Sequence, residues 1–207
     1  MKRALIFDLD NTIYPVSSIS ENLFDQLFTL MTENQGEMDL ESLLAAKEEL
    51  TRKPYHLVAD KYNFSEDLKN RGIDLLKNMA YEKPMQPFEE YFHIKYIPIK
   101  KYLVTTGFTK LQLSKVKMLG IENDFMEIHI VDPEISEQTK KDVFASIMER
   151  HNYLPEEVLV IGDDPESEIK AAIELGIDTF LFDPENKHPD VLVNVRSAYL
   201  KEVFDWI

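Results

Sequence analysis

The residues best suited to chemistry lie in Phe7-Asp8-Leu9-Asp10-Asn11-Thr12, directly after a short apolar run. Two carboxylates this close repel, and each resists ionisation unless a cation or a lysine stands beside it. A hard divalent ion such as Mg2+, which prefers oxygen ligands, resolves the repulsion. Taken alone, the pair also fits an ordinary polar turn, where Asp and Asn are common. Three further segments bear on the choice. In Thr105-Thr106-Gly107 a hydroxyl and a permissive glycine follow another apolar run, and together with loop N–H groups they could bind an anion. Thr is equally an ordinary strand residue. Lys140-Lys141 opens a segment of helical spacing, where the macrodipole disfavours cations. A nearby phosphate or carboxylate cluster would explain them, and a solvated face is the alternative. Finally, Gly162-Asp163-Asp164-Pro165-Glu166-Ser167-Glu168 sets four acids within six residues. The dipole stabilises acids in a first helical turn, but that does not account for Asp163 at a strand end, where a metal ligand is expected.

These residues need elements to bring them together. The apolar runs 4–7, 102–104, 128–131, 158–161 and 179–182 lack alternation, which suits strands buried on both faces of a parallel sheet. Between them, Leu113, Val116 and Gly120 have helical spacing behind Thr109 as an N-cap, with Gly120 closing the helix. Phe144, Ile147, Met148 and His151 form a second stripe. Pro165, Ile169, Ala172, Ile173 and Gly176 mark a third helix, with Pro near its start and Gly past its end. This order predicts a doubly wound α/β fold. Residues 16–93 break the rhythm. Ser18 to Glu21 reads as a capping box, and Leu23, Leu27, Leu30 and Met31, then Leu40, Leu43 and Leu44, then Leu68, Leu75, Leu76 and Met79 all have helical spacing. The expectation is a helical cap domain over 16–93 inserted into a core made of 1–15 plus 94–207. A final helix is expected from about Ser197, anchored by Trp206. In a parallel sheet the strand ends share one edge, so Asp8, Asp10, Thr105, Asp163 and Lys140 or Lys141 can meet there. Carboxylates, a metal, a hydroxyl and a lysine make a site for phosphoryl transfer.

Composition narrows the function classes. The 207 residues carry 23 Lys and Arg against 38 Asp and Glu, a formal charge of −15. Nucleic-acid binding needs a basic footprint, and docking on anionic lipid needs the same sign. With 44% hydrophobic residues the chain can bury a core. It has no cysteine, so thiolate zinc sites, disulfides and a Cys nucleophile are excluded. No signal peptide or membrane span is legible, and a cytoplasmic location is the expectation. An acidic site facing an anionic substrate must have its local sign reversed by Mg2+ and a lysine.

In its motifs the sequence resembles the haloacid-dehalogenase superfamily of Mg2+-dependent phosphatases. The resemblance rests on FDLDNT, LVTTG, a lysine before DVF, and VIGDDPESEI, in the family's order across nearly the whole chain. It implies a Rossmann-like core with an inserted helical C1 cap. It further implies Asp8 as the nucleophile that forms an aspartyl-phosphate, and Asp10 as the general acid/base. Thr105 and a lysine would hold phosphate oxygens, with Thr106 beside them. Asp8, the Asp10 carbonyl and Asp163 would hold Mg2+, with Asp164 or Glu168 near it. Departures are visible. Asn11 stands where Gly is commoner, Thr106 where Asn often follows, and Glu168 where Asp is commoner, so that its extra methylene could move it outward. Without the usual Lys-Pro, spacing leans toward Lys140 over Lys141. Retention of Asp10 argues against true dehalogenation.

The expected activity is hydrolysis of a small phosphorylated metabolite. A phosphomutase on the same site is the nearest alternative. A non-hydrolytic phospho-acceptor or binding module is the alternative from another class, although a receiver would place its acceptor Asp on a later strand. Substrate choice would lie in the cap. Arg52, Lys53 and His56 could read the leaving group and Tyr14 could line the entrance, or the 51–56 stretch is simply a solvated basic loop. Oligomeric state is not legible.

Overall fold

A computed structural model describes residues 1–207 except 20–22, 35, 37, 51 and 52. The expected capping box therefore lies partly outside the described residues at Glu21, and Arg52 lies outside them altogether. In chain order the elements are strand β1 (Ala4–Phe7), helices α1 (Asp25–Glu33), α2 (Leu40–Leu50), α3 (Tyr55–Lys61), α4 (Glu66–Asn78) and α5 (Tyr91–Ile94), then β2 (Lys100–Thr106) and α6 (Thr109–Leu119). They continue with β3 (Glu127–Val131), α7 (Lys140–His151), β4 (Val158–Gly162), a π-helical turn (Pro165–Ile169), α8 (Lys170–Glu174), β5 (Asp178–Phe182), β6 (Val195–Ser197) and a 3-10 turn (Leu200–Trp206).

The six strands form one sheet in the order β3-β2-β1-β4-β5-β6, and every pairing is parallel. Its faces are both covered. Leu5, Phe7, Leu103, Leu159 and Ile161 enter one apolar cluster, and Ala4, Ile6, Tyr102, Val104, Val158 and Val160 enter the other. Period-two alternation sorts each strand's residues between two buried faces, which is why the runs read as uninterruptedly apolar. The chain leaves β1 toward β2 and β3, then returns to the other side of β1 with β4. That reversal between β1 and β4 opens a crevice at the carboxyl ends of the strands.

Helices α1 to α4 bury a core of their own, with Leu27, Met31, Leu43, Ala46, Val58, Leu68 and Leu76 among its members. Tyr81, Met85, Tyr91 and Ile94 instead pack with the sheet. The helical layer rests on α6. The Lys110 Nζ donates to the Asn78 carbonyl at 2.7 Å, the Tyr81 N–H donates to Ser114 Oγ at 2.7 Å, and Phe108 packs against both clusters.

Some details differ from expectation. Leu113 is 45% exposed, and α6 buries Leu111, Gln112, Lys115, Val116 and Leu119 instead. Thr109 does not cap α6. The carboxylate of Asp132, past the end of β3, accepts from both the N–H and the hydroxyl of Thr109 at 2.8 Å. Gly120 does close the helix, at φ 66°. The C-terminal segment is a strand followed by a 3-10 turn. It is held by buried Leu200 and Val203, whereas Trp206, the expected anchor, is 41% exposed.

Candidate active site

Past β1 the chain stays level with β4 for one more residue, and the Asp8 N–H donates to the Ile161 carbonyl at 2.9 Å. It then turns at Asn11, whose φ of 55° is left-handed, a conformation Asn tolerates better than most residues. Asn here does the work of a turn glycine, which accounts for the departure noted at this position. The turn carries Thr12 back beneath Asp163, to which its hydroxyl donates at 3.4 Å.

From the other side of the crevice, the β4 end and the π turn present two more acids. Carboxylate oxygens of Asp8, Asp163 and Glu168 all lie within 4.8 Å of one another. Glu168 is buried because its side chain folds back over the strand end. Its Oε1 accepts from the Asp164 N–H at 2.7 Å, and it lies against Gly162 so closely that an added Cβ would meet Glu168 Oε1 at 2.2 Å. Glycine is required here by close approach. Gly162→Ala should expel Glu168 from the cluster and lower metal affinity by about 10-fold or more, measured as the shift in the Mg2+ concentration that half-saturates activity.

Lys140 enters from the neighbouring helix on the same face of the sheet as the π turn. Its helix, α7, starts at a reciprocal cap in which Thr139 and Asp142 satisfy each other's N–H groups. The cap fixes Lys140 in the first turn. The side chain is buried, and its Nζ donates to Asp8 Oδ1 at 2.6 Å and to Glu168 Oε2 at 2.7 Å. A carboxylate cluster is thus the reason for a lysine at this dipole-disfavoured place.

One cation among three clustered carboxylates leaves the group short of positive charge. Burial, only partly offset by Lys140 and reinforced by the charges of Glu168 and Asp10, pushes the Asp8 carboxyl up to about 7. Burial together with repulsion from Glu168, Asp8 and Asp164 pushes Asp163 up to about 9. Burial would depress Lys140, but Asp8 and Glu168 outweigh it and raise its pKa above the usual lysine value. Converging oxygen donors with too little compensating charge are what a hard divalent cation fits. Asp8, Asp163 and Glu168 would hold it.

Asp10 sits in a different environment. Its Oδ1 accepts from Tyr14 and from Lys115 Nζ, the latter at 2.8 Å, and its Oδ2 accepts from Gln112 Nε2 at 2.8 Å. Burial would raise its pKa, yet the Lys115 cation and these hydrogen bonds outweigh burial and hold it below the ordinary carboxylate value. Gln112 Nε2 also donates to Thr105 Oγ1 at 2.8 Å, so buried Thr105 stands beside Asp10 at the end of β2.

A family model for haloacid dehalogenase-like hydrolases matches residues 2–176. The chain belongs to that family. Among named relatives of this haloacid dehalogenase-like hydrolase, the glyceraldehyde 3-phosphate phosphatase of Methanopyrus kandleri is 26% identical over 198 residues, covering 86% of this chain and 83% of that one. The ribulose-1,5-bisphosphate 5-phosphatase of Halopiger xanaduensis is 29% identical over 86 residues, or 41% of this chain and 36% of that one. Among solved structures, the family protein SP0104 from Streptococcus pneumoniae superposes with a TM-score of 0.71 at 18% identity, covering 99% of this chain and 98% of that one. The Bacillus subtilis protein YfnB, bound to magnesium, superposes with a TM-score of 0.68 at 21% identity, covering 99% and 97%.

The fold of this hydrolase gathers Asp8, Asp10, Thr105, Lys140, Asp163 and Glu168, and leaves other expected residues elsewhere. Lys141 is on the surface, where it pairs with Glu174 at 2.8 Å; one residue of helix turns it away from Lys140. Asp164 caps the π turn, accepting from the Glu166 N–H at 2.8 Å, and is not among the three clustered carboxylates. Glu168 is drawn in, not pushed outward: the π turn and the bare Gly162 make room for its longer chain. Thr106 contributes a carbonyl to Gln112 at 3.2 Å. Tyr14 does not line an entrance, being fully buried against Asp10. Lys53 pairs with Glu49 at 3.1 Å on the helical layer's surface, and His56 is exposed beside Asp60. Two residues that sequence reasoning passed over, Gln112 and Lys115, reach Asp10 from α6.

Proposed function

We propose that this chain is a Mg2+-dependent phosphatase of small phosphate monoesters, acting through an aspartyl-phosphate on Asp8. The observation that carries the reading is the division of labour between two neighbouring carboxylates. Asp8 is buried against Lys140 in the acidic cluster, while Asp10, two residues on, lies outside that cluster and is held by neutral and cationic donors. Asp8 would attack phosphorus. Thr105 and Lys140 would bind the phosphoryl oxygens, and Asp10 would protonate the leaving oxygen and later take a proton from the hydrolytic water. A bound Mg2+ supplies charge neutralisation on the phosphoryl group and on Asp8. Residues 16–93 would serve as the inserted cap over the core formed by 1–15 plus 94–207.

The named relatives support a small phosphorylated metabolite as substrate, and the charge of −15 makes a polyanionic partner unfavourable. No described helix is long and apolar enough to cross a membrane, and a cytoplasmic location belongs to this proposal. A panel of triose, pentose and hexose phosphates, phosphoglycolate and nucleotides is the test. At least one should turn over at about 1–100 s−1 with Mg2+, with activity lost on chelation. A chain that hydrolyses neither these nor p-nitrophenyl phosphate contradicts the reading.

A further inference from the structure

Lys115 is a second buried lysine at the carboxyl edge of the sheet, and the steps above give it no part. It lies three residues after Gln112 on α6, so both share a helix face, and that face looks onto Asp10. The Lys115 side chain is 6% accessible and forms its ion pair with Asp10 at 2.8 Å. Its Nζ lies 5.9 Å from the centre of the Tyr14 ring, and the Tyr14 hydroxyl donates to the same Asp10 oxygen. Removing a lysine from water carries a desolvation penalty that its ion pair seldom exceeds, and replacing the whole pair by apolar side chains of similar size is often neutral, whereas removing the lysine alone strands the buried charge of Asp10. What a buried cation adds over apolar packing is a fixed orientation for its carboxylate.

Resting on the reading of Asp10 as the proton-transfer group, we propose that Lys115 and Tyr14 are positioning residues: together they hold Oδ1 of Asp10 so that Oδ2, which accepts from Gln112 at 2.8 Å, turns its remaining lone pair to the leaving-group oxygen. In the step they serve, an Asp8 oxygen forms a bond to phosphorus and the ester P–O bond breaks. The electron pair stays on the leaving oxygen, which takes a proton that the Asp10 carboxylate has first accepted from the ester's phosphate monoanion. Lys140 approaches Asp8 from one layer of the fold and Lys115 approaches Asp10 from the other, so the two carboxylates are aimed independently.

The leaving group makes this testable. An alkoxide needs the proton as it departs, whereas nitrophenolate leaves without one. For the full chain with Mg2+, kcat/KM is compared on p-nitrophenyl phosphate and on the best alkyl phosphate of the panel. Lys115→Met should lower the alkyl value about 30-fold or more while changing the nitrophenyl value less than about threefold, given how much a placed general acid contributes. Lys115→Arg should recover most of the loss. Tyr14→Phe keeps the ring and removes only the hydroxyl, and should show the same bias at about fivefold. It decides the matter if Lys115→Met gives no cooperative melt. Equal losses on both esters, or no loss on either, overturn the positioning role, as does a wild type that hydrolyses the nitrophenyl ester but no alkyl phosphate. A wild type that hydrolyses neither overturns the underlying phosphatase reading instead.

Discussion

Asp8→Asn should abolish hydrolysis, with kcat on any substrate of the panel falling at least about 10^4-fold. The amide is nearly isosteric, so the fold should persist, but two things are lost. Asn is too weak a nucleophile to attack phosphorus, and it removes one of three oxygens that converge within 4.8 Å. It also relieves repulsion. Glu168 and Asp163 keep Lys140 while losing an anionic neighbour, so the variant should melt no lower than wild type in the presence of a chelator. Circular dichroism melts alongside single-turnover assays separate the two effects. Substantial residual activity in Asp8→Asn would move the nucleophile elsewhere.

The second large effect is on stability. In chelator, the protein should lose stability as pH rises, and Mg2+ should restore it. Asp8 and Asp163 have folded-state values pushed up from 3.8 to about 7 and about 9, burial being the largest cause in each. A raised carboxyl binds its proton more tightly in the folded than in the unfolded chain. The stability it contributes is therefore full below its unfolded value and lost as pH climbs through its folded one. Melting temperature in chelator should fall between about pH 4 and pH 9. A divalent ion replaces those protons, so the gain from Mg2+ should be small in acid and grow toward pH 9. At a hundredfold excess over Kd, mass action gives about 2.7 kcal/mol, or a rise of about 5–10 °C for a chain this size. Scanning calorimetry across pH, with and without Mg2+, measures it. A melting temperature indifferent to Mg2+ at every pH would remove the metal from the site.

Much of this architecture was legible because buried parallel strands have a simple signature. Ala4–Phe7 and Val158–Gly162 are covered on both faces, so their sequences are apolar without interruption, and the acids that follow stand out at once. A shared carboxyl edge then brings Asp8, Thr105 and Asp163 together. Strand β6 was missed because its three residues, Val195, Arg196 and Ser197, lie at the sheet edge and carry little apolar signal. Gln112 and Lys115 were missed for a different reason. Periodicity identifies the inward face of a helix by its apolar residues, and α6 buries a glutamine and a lysine there. Polar residues on a buried helical face break the rule that finds faces, and they do so where the helix meets Asp10. Choosing Lys140 over Lys141 needed the exact first turn of α7. The Thr139–Asp142 cap sets it, and that signal was present in the sequence as Thr-x-x-Asp.

In the proposed reaction Asp8 carries the phosphoryl group between substrate and water. Asp10→Asn should form this intermediate from an activated ester yet fail to discharge it, because nothing then draws a proton from the hydrolytic water. An acid-quenched single turnover of that variant on p-nitrophenyl phosphate, digested and read by mass spectrometry, should show one phosphoryl group on the peptide containing Asp8. Nitrophenolate released in a full burst while every Asp8 peptide remains unmodified would contradict it.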